Sequence, residues 1–166
     1  MSRILTAARL LTYCIDLANR NRTALGFIPR ARFADRIDLG QVHPHFENDD
    51  LCGYILVGRS RDWLHVHQVC IQDDARRLEH GRSLVALAQG IARRGGCQGL
   101  SLRCATDLPS NAFWAALGFE RVATVAGGLS RGRLINVYKL PFDDAFPLIE
   151  SASPSPGPHS QSNALE

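Results

Sequence analysis

Apolar residues Ile4, Ala7, Ala8, Leu11 and Ile15 recur at helical spacing, which predicts an amphipathic helix over residues 3–19. Pro29 opens a second helical pattern through Phe33 and Ile37, and Gly40 closes it. The period then shortens. Residues 41–46 and 51–58 read as strands joined by the polar turn 47–50, and 63–72 reads as a third strand after the turn 59–62. Helical spacing returns with Leu84, Leu87, Ala88 and Ile91 and stops at Gly95 and Gly96. Residues 99–105 read as a strand and 109–117 as a short helix; 119–125 and 133–140 are strands around a glycine-rich turn. The order is α-α-β-β-β-α-β-α-β-β. It predicts an α/β (α+β) domain, a mixed and mostly antiparallel sheet with helices on both faces.

Composition narrows the class. A chain of 166 residues suggests one domain, and 45% hydrophobic residues can build its core. That domain is expected over 1–142. Residues 143–166 are expected to be a disordered tail, because 151–163 are rich in Ser, Pro and Gly and nearly uncharged. No apolar run approaches the roughly 18 residues a membrane helix needs. Met1 to Ala8 lacks an apolar signal core, so a cytoplasmic protein is expected. The five cysteines form no CxxC pair, which fits reduced thiols. The net charge of +3 does not argue for a nucleic acid partner, although Lys139 is the only lysine among 19 basic residues.

The most informative stretch leaves the third strand at Ile71, turns, and enters a helix by Ser83. Unpaired backbone N–H groups and the positive end of the dipole at such a junction can hold a pyrophosphate. Arg76, Arg77 and Arg82 add charge there, Gly81 permits close approach, and Ser83 offers a hydroxyl. No P-loop or dinucleotide fingerprint occurs.

This stretch resembles the coenzyme A signature of the GNAT superfamily of N-acyltransferases. Ile71 takes the apolar strand place, Arg76 the Arg/Gln place and Gly81 the final Gly/Ala place; Glu79 stands where the signature has its first glycine. The segment from Asp107 through Ser110, Phe113 and Trp114 to Leu117-Gly118-Phe119 is similar to the later motif of the same family. The resemblance implies a splayed parallel pair, strands 63–72 and 99–105, with acetyl-CoA in the gap as co-substrate. It implies a cofactor site at Val69, Cys70, Ile71, Arg76, Arg77, Glu79, His80, Gly81, Arg82, Ser83, Asp107, Ser110 and Trp114. Backbone N–H groups at Val69 or Ile71 would form the oxyanion hole.

Acyl transfer to an amine needs a proton acceptor. Strand alternation puts His65 and His67 on one face, and histidine titrates near neutral pH. The pair is similar to the His-x-His of arylalkylamine N-acetyltransferases. Trp114 stands where many members carry the tyrosine that protonates the leaving thiolate; Tyr138, Ser110 and Cys104 are alternative helpers. The expected activity is an N-acetyltransferase acting on a small-molecule or peptide amine, with a homodimer left open. The alternative is a degenerate fold that binds coenzyme A or a partner without transfer. A metal site is not expected from His43, His45, His65 and His67; His43 and His45 instead suit the substrate end of the cleft. Residues Leu25 to Pro29 would help shape the acceptor pocket.

Overall fold

The computed structural model describes residues 5–75, 79–128 and 132–143. The first helix, α1 (Ala7–Arg20), starts later than its apolar stripe suggests. Thr6 caps it, its Oγ1 accepting from the Arg9 N–H at 3.3 Å. A single turn, α2 (Arg22–Leu25), precedes α3 (Arg30–Asp38) and was not legible from periodicity. Four residues are too few to display a period. Strands β1 (Val42–Glu47), β2 (Asp50–Ser60) and β3 (Trp63–Ile71) follow as a meander. Asn48 and Asp49 take positive φ at the β1–β2 turn, a conformation their short polar side chains tolerate. Then come α4 (His80–Arg94), β4 (Gly99–Ala105), α5 (Ser110–Ala116), β5 (Glu120–Ala126) and β6 (Leu134–Pro141).

The six strands form one sheet in the order β1-β2-β3-β4-β6-β5. Only β3 and β4 are parallel neighbours; every other pair is antiparallel. The expected mixed, mostly antiparallel sheet is therefore observed. The β3–β4 crossover carries α4, whose Leu84, Val85 and Ala88 pack on Ile55, Val57, Leu100 and Leu102. On the other sheet face, α1 and α3 cover Tyr54, Leu56 and Cys70 through Leu10, Cys14, Leu17 and Phe33. Each fully buried Leu or Ile contributes about 1.5–3 kcal/mol of transfer free energy, so these two layers dominate the packing. Among the described residues, the second face is covered at the β1–β3 side.

None of the five cysteines forms a disulfide. No helix among the described residues is long and apolar enough to cross a membrane. Apart from Asp143, the expected tail lies outside the described residues.

Candidate functional site

The site follows from one irregularity in β3. Val66 pairs with Val57 on β2, and Gln68 pairs with Leu56, so His67 is an extra residue, a bulge. A bulge bends its strand and sharpens the local twist. On the opposite edge of β3, the parallel ladder runs only from Trp63–Gly99 to Val66–Leu102. Both strands continue, to Ile71 and Ala105, but part from there. The bulge also re-aims the side chains beyond it. Leu64 and Val66 face α4, whereas Cys70 faces α1 and α3.

A cavity of about 570 Å³ occupies the gap. Val69, Cys70 and Ile71 border it from β3, Leu102 and Cys104 from β4, and Ser110, Phe113 and Trp114 from α5. The start of α4 contributes Glu79, Gly81 and Arg82. Glu79 makes no side-chain cap bond, and the first turn of α4 holds no acid, so no side chain caps this helix start, an arrangement suited to an anion. Arg82 is paired with Glu79, Nε to Oε2 at 3.2 Å. A Cβ on Gly81 would sit 3.1 Å from Phe113 Cζ, so the glycine makes room for an aromatic wall.

The expected site residues divide. Those bordering this cavity are Val69, Cys70, Ile71, Glu79, Gly81, Arg82, Ser110 and Trp114, together with His67. Three others turn away. Ser83 Oγ donates back to the Glu79 carbonyl at 3.1 Å. His80 shares a 2.9 Å hydrogen bond with His45 Nε2 through its Nδ1, and its Nε2 meets the Glu47 carboxylate at 3.2 Å. Asp107 is held by Arg133 in a two-point pair of 2.8 and 3.0 Å at the surface. That pairing depresses its carboxyl pKa. Arg133 in turn donates to the Thr23 carbonyl at 3.0 Å, so the Asp107–Arg133 pair ties to the α2 turn. Arg76 and Arg77 lie outside the described residues.

His65 and His67 do share a face, with ring centroids 4.7 Å apart. His65 Nδ1 lies 3.0 Å from Ser101 Oγ. Burial, then His67 and Arg103, push the His65 pKa down to about 4. Burial and Arg36 lower that of His67 as well. Both rings are therefore neutral near pH 7 and able to accept a proton. A second cavity, of about 950 Å³, opens on their side of the sheet between the β2–β3 turn and β6. His65 borders only this one; His67, Leu102 and Arg103 border both cavities. The two spaces meet where β3 and β4 part.

Other expectations need correcting. Neither His43 nor His45 borders either cavity, so they do not line the substrate end of the cleft. His45 instead joins Cys52 and His80 in a group whose donor atoms lie within 4.8 Å of one another. Trp114 borders the first cavity as expected and also packs edge-on between Phe113 and Phe119, at 4.9 and 5.4 Å, in the core under α4. Tyr138 does not border the first cavity; its hydroxyl donates to Asn111 Oδ1 at 2.9 Å. Of the possible helpers at the thiolate, only Ser110 and Cys104 border it, with Oγ and Sγ 3.3 Å apart. Burial raises the Cys104 thiol pKa.

Two important residues were missed. Gln68 accepts from the Tyr54 hydroxyl at 2.8 Å and donates to the Leu25 carbonyl at 3.3 Å, tying the bulge to the α2 turn. Asn111 donates to the Ala105 and Leu108 carbonyls at 2.8 and 2.7 Å and accepts from Asn136 and Tyr138. It anchors α5 beside the cavity. Asn111 lay in view, inside the second motif; Gln68 had no local signal.

Residues 10–119 match the model of the acetyltransferase (GNAT) family. Among solved structures, Ard1 from Thermoplasma volcanium is 15% identical, with 84% of this chain and 95% of that one covered at a TM-score of 0.73. A ribosomal-protein-alanine N-acetyltransferase from Brucella melitensis is 20% identical over 84% and 98% of the two chains, at 0.67. The protein yncA from Salmonella typhimurium, solved with its cofactor acetyl-CoA, is 22% identical over 92% and 96%, at 0.66. At these identities the likeness shows the fold.

Proposed function

The chain belongs to the acetyltransferase (GNAT) family, and on that premise we propose that it moves the acetyl group of acetyl-CoA to an amine nitrogen. The observation that carries this reading is the meeting of two cavities at His67. Acetyl-CoA enters the gap between β3 and β4, its pantetheine arm along Val69 and Ile71. Its phosphates rest on the uncapped start of α4 beside Gly81 and Arg82. The acceptor amine approaches through the second cavity. Its nitrogen attacks the thioester carbonyl carbon, and the oxyanion that forms is held by backbone N–H at Val69 or Ile71. The C–N bond forms, the C–S bond breaks, and the proton lost by nitrogen passes to His67. The coenzyme thiolate takes its proton from water, with the Ser110 hydroxyl donating to the departing sulfur.

His67 is the acceptor of choice because it borders both cavities, whereas His65 borders only the second. The likeness to the His-x-His of arylalkylamine N-acetyltransferases is read here as a shared proton path and not as a shared substrate. The catalytic unit is assigned to residues 1–142 and the place of action to the cytoplasm, which five unbridged cysteines fit. Acceptors are small-molecule or peptide amines.

Thermal stability with and without acetyl-CoA is the direct test. A ligand at 100 times its Kd raises stability by about 2.7 kcal/mol, and millimolar acetyl-CoA that leaves Tm unmoved refutes the reading. The Glu79–Arg82 pair and the core position of Trp114 favour one other reading, a coenzyme A binder without transfer. Acceptor-dependent release of free thiol that falls in His67→Gln excludes that alternative.

A further inference from the structure

The second cavity is unusual in its charge. Arg36, Arg59, Arg61, Arg103 and Lys139 border it, and Asp62 is the only carboxylate that does. Five cations therefore face one anion in a chain whose total charge is only +3. None of the five is in a salt bridge among the described residues; those ion pairs are His80–Glu47, Arg82–Glu79 and Arg133–Asp107.

Neutral groups hold several of these cations in place without cancelling their charge. Arg59 donates to the Gly95 and Arg61 carbonyls at 2.8 and 3.1 Å. Arg36 donates to Gln41 Oε1. Lys139 Nζ sits 4.4 Å over the Trp63 ring. Register aligns the floor. His65, Ser101 and Lys139 form one row across β3, β4 and β6, and Arg103 is two residues along β4 from Ser101. Arg103 and Lys139 are thus diagonal neighbours on one sheet face, close enough for long side chains to share a ligand. Arg36 comes from α3 and Arg61 from the β2–β3 turn, on the walls.

We propose that this cavity is an oxyanion-binding acceptor site, selecting amines that carry a carboxylate or phosphate group. The proposal rests on the transferase reading above and names its substrate class. Two physical effects support it. Five cations against one carboxylate attract an anion, and arginine meets carboxylate or phosphate with two donors. The same cations repel an ammonium, so the bound amine loses its proton more readily. That matters here, because His65 and His67 are weak bases that suit an amine with a lowered pKa.

The test uses matched acceptors, β-alanine against propylamine and O-phosphoethanolamine against ethanolamine, with thiol release from acetyl-CoA as the rate. At least one charged amine is expected to show a KM tenfold or more below its neutral partner; the two pairs separate carboxylate from phosphate selection. Lys139→Gln and Arg61→Asn should raise the charged amine's KM about tenfold. They should leave its neutral partner's KM and the acetyl-CoA Kd unchanged. Asn suits the positive φ at Arg61. Neutral amines used equally well, or variants that shift both members alike, overturn the proposal. Calorimetry of β-alanine and of O-phosphoethanolamine with the protein plus coenzyme A reads the cavity without chemistry. Binding that weakens in both variants supports the oxyanion site even where thiol release is nil; no binding of either amine overturns it. Acetyl-CoA failing to raise Tm strikes the transferase reading separately.

Discussion

Replacing His65 by Asn tests the electrostatics of the site through stability. His65 is driven from 6.5 to about 4 in the folded protein, chiefly by burial. The unfolded chain then binds more protons than the folded one between these values, so stability falls as pH drops from 6.5 toward 4. Above 6.5 the ring is neutral in both states and its contribution is flat. A shift of this size is worth at most about 3 kcal/mol, of which about 2 would be lost by pH 5. The ring is half-buried, and solvent screening reduces the loss at pH 5 to about 1–2 kcal/mol. Asn keeps a polar partner for Ser101 Oγ but cannot be protonated. Urea denaturation at pH 7.5 and 5.0 measures the effect in both proteins, and carboxylates common to both cancel in the difference. The wild type should lose about 1–2 kcal/mol more than His65→Asn over that interval. Equal losses refute the argument that His65 is neutral and desolvated beside Arg103 and His67.

His67→Gln is expected to lower kcat by about 10²–10⁴ with little change in acetyl-CoA affinity, and steady-state kinetics at fixed acetyl-CoA separates the two. Glu79→Gln frees Arg82 and removes a negative charge from the α4 start, so acetyl-CoA should bind a few-fold tighter, most clearly at low salt; calorimetry at two ionic strengths checks this. Gly81→Ala brings a methyl to 3.1 Å from Phe113 and should weaken acetyl-CoA binding by forcing that ring to shift, read as a smaller ligand-induced rise in Tm. Asn111→Ala strands the Tyr138 hydroxyl and the Ala105 and Leu108 carbonyls, and should cost about 2–4 kcal/mol in urea denaturation.

Local pattern carried most of the fold. The period of apolar residues marked α1, α3 and α4, because each must hide one stripe from water, and β-favouring runs between turn signals marked the strands, β5 included although all of its residues are exposed. The expected coenzyme A stretch from Val69 to Arg82 was legible because it is contiguous in the chain, and Val69, Cys70, Ile71, Glu79, Gly81 and Arg82 do border the first cavity. What tertiary structure alone decided lies between distant segments. The bulge at His67 exists only relative to the register of β2, and it opens the cleft and divides the histidines from Val69 and Ile71. His80 and Asp107 were read as ligand groups because they lie in motifs, but His45, Glu47 and Arg133 claim them from elsewhere in the chain. The cationic cavity gathers Arg36, Arg61, Arg103 and Lys139 from four elements. Along the sequence they are scattered among other arginines and read as background; only the fold brings them to one side, with Asp62 the one carboxylate among the described residues that borders the cavity with them.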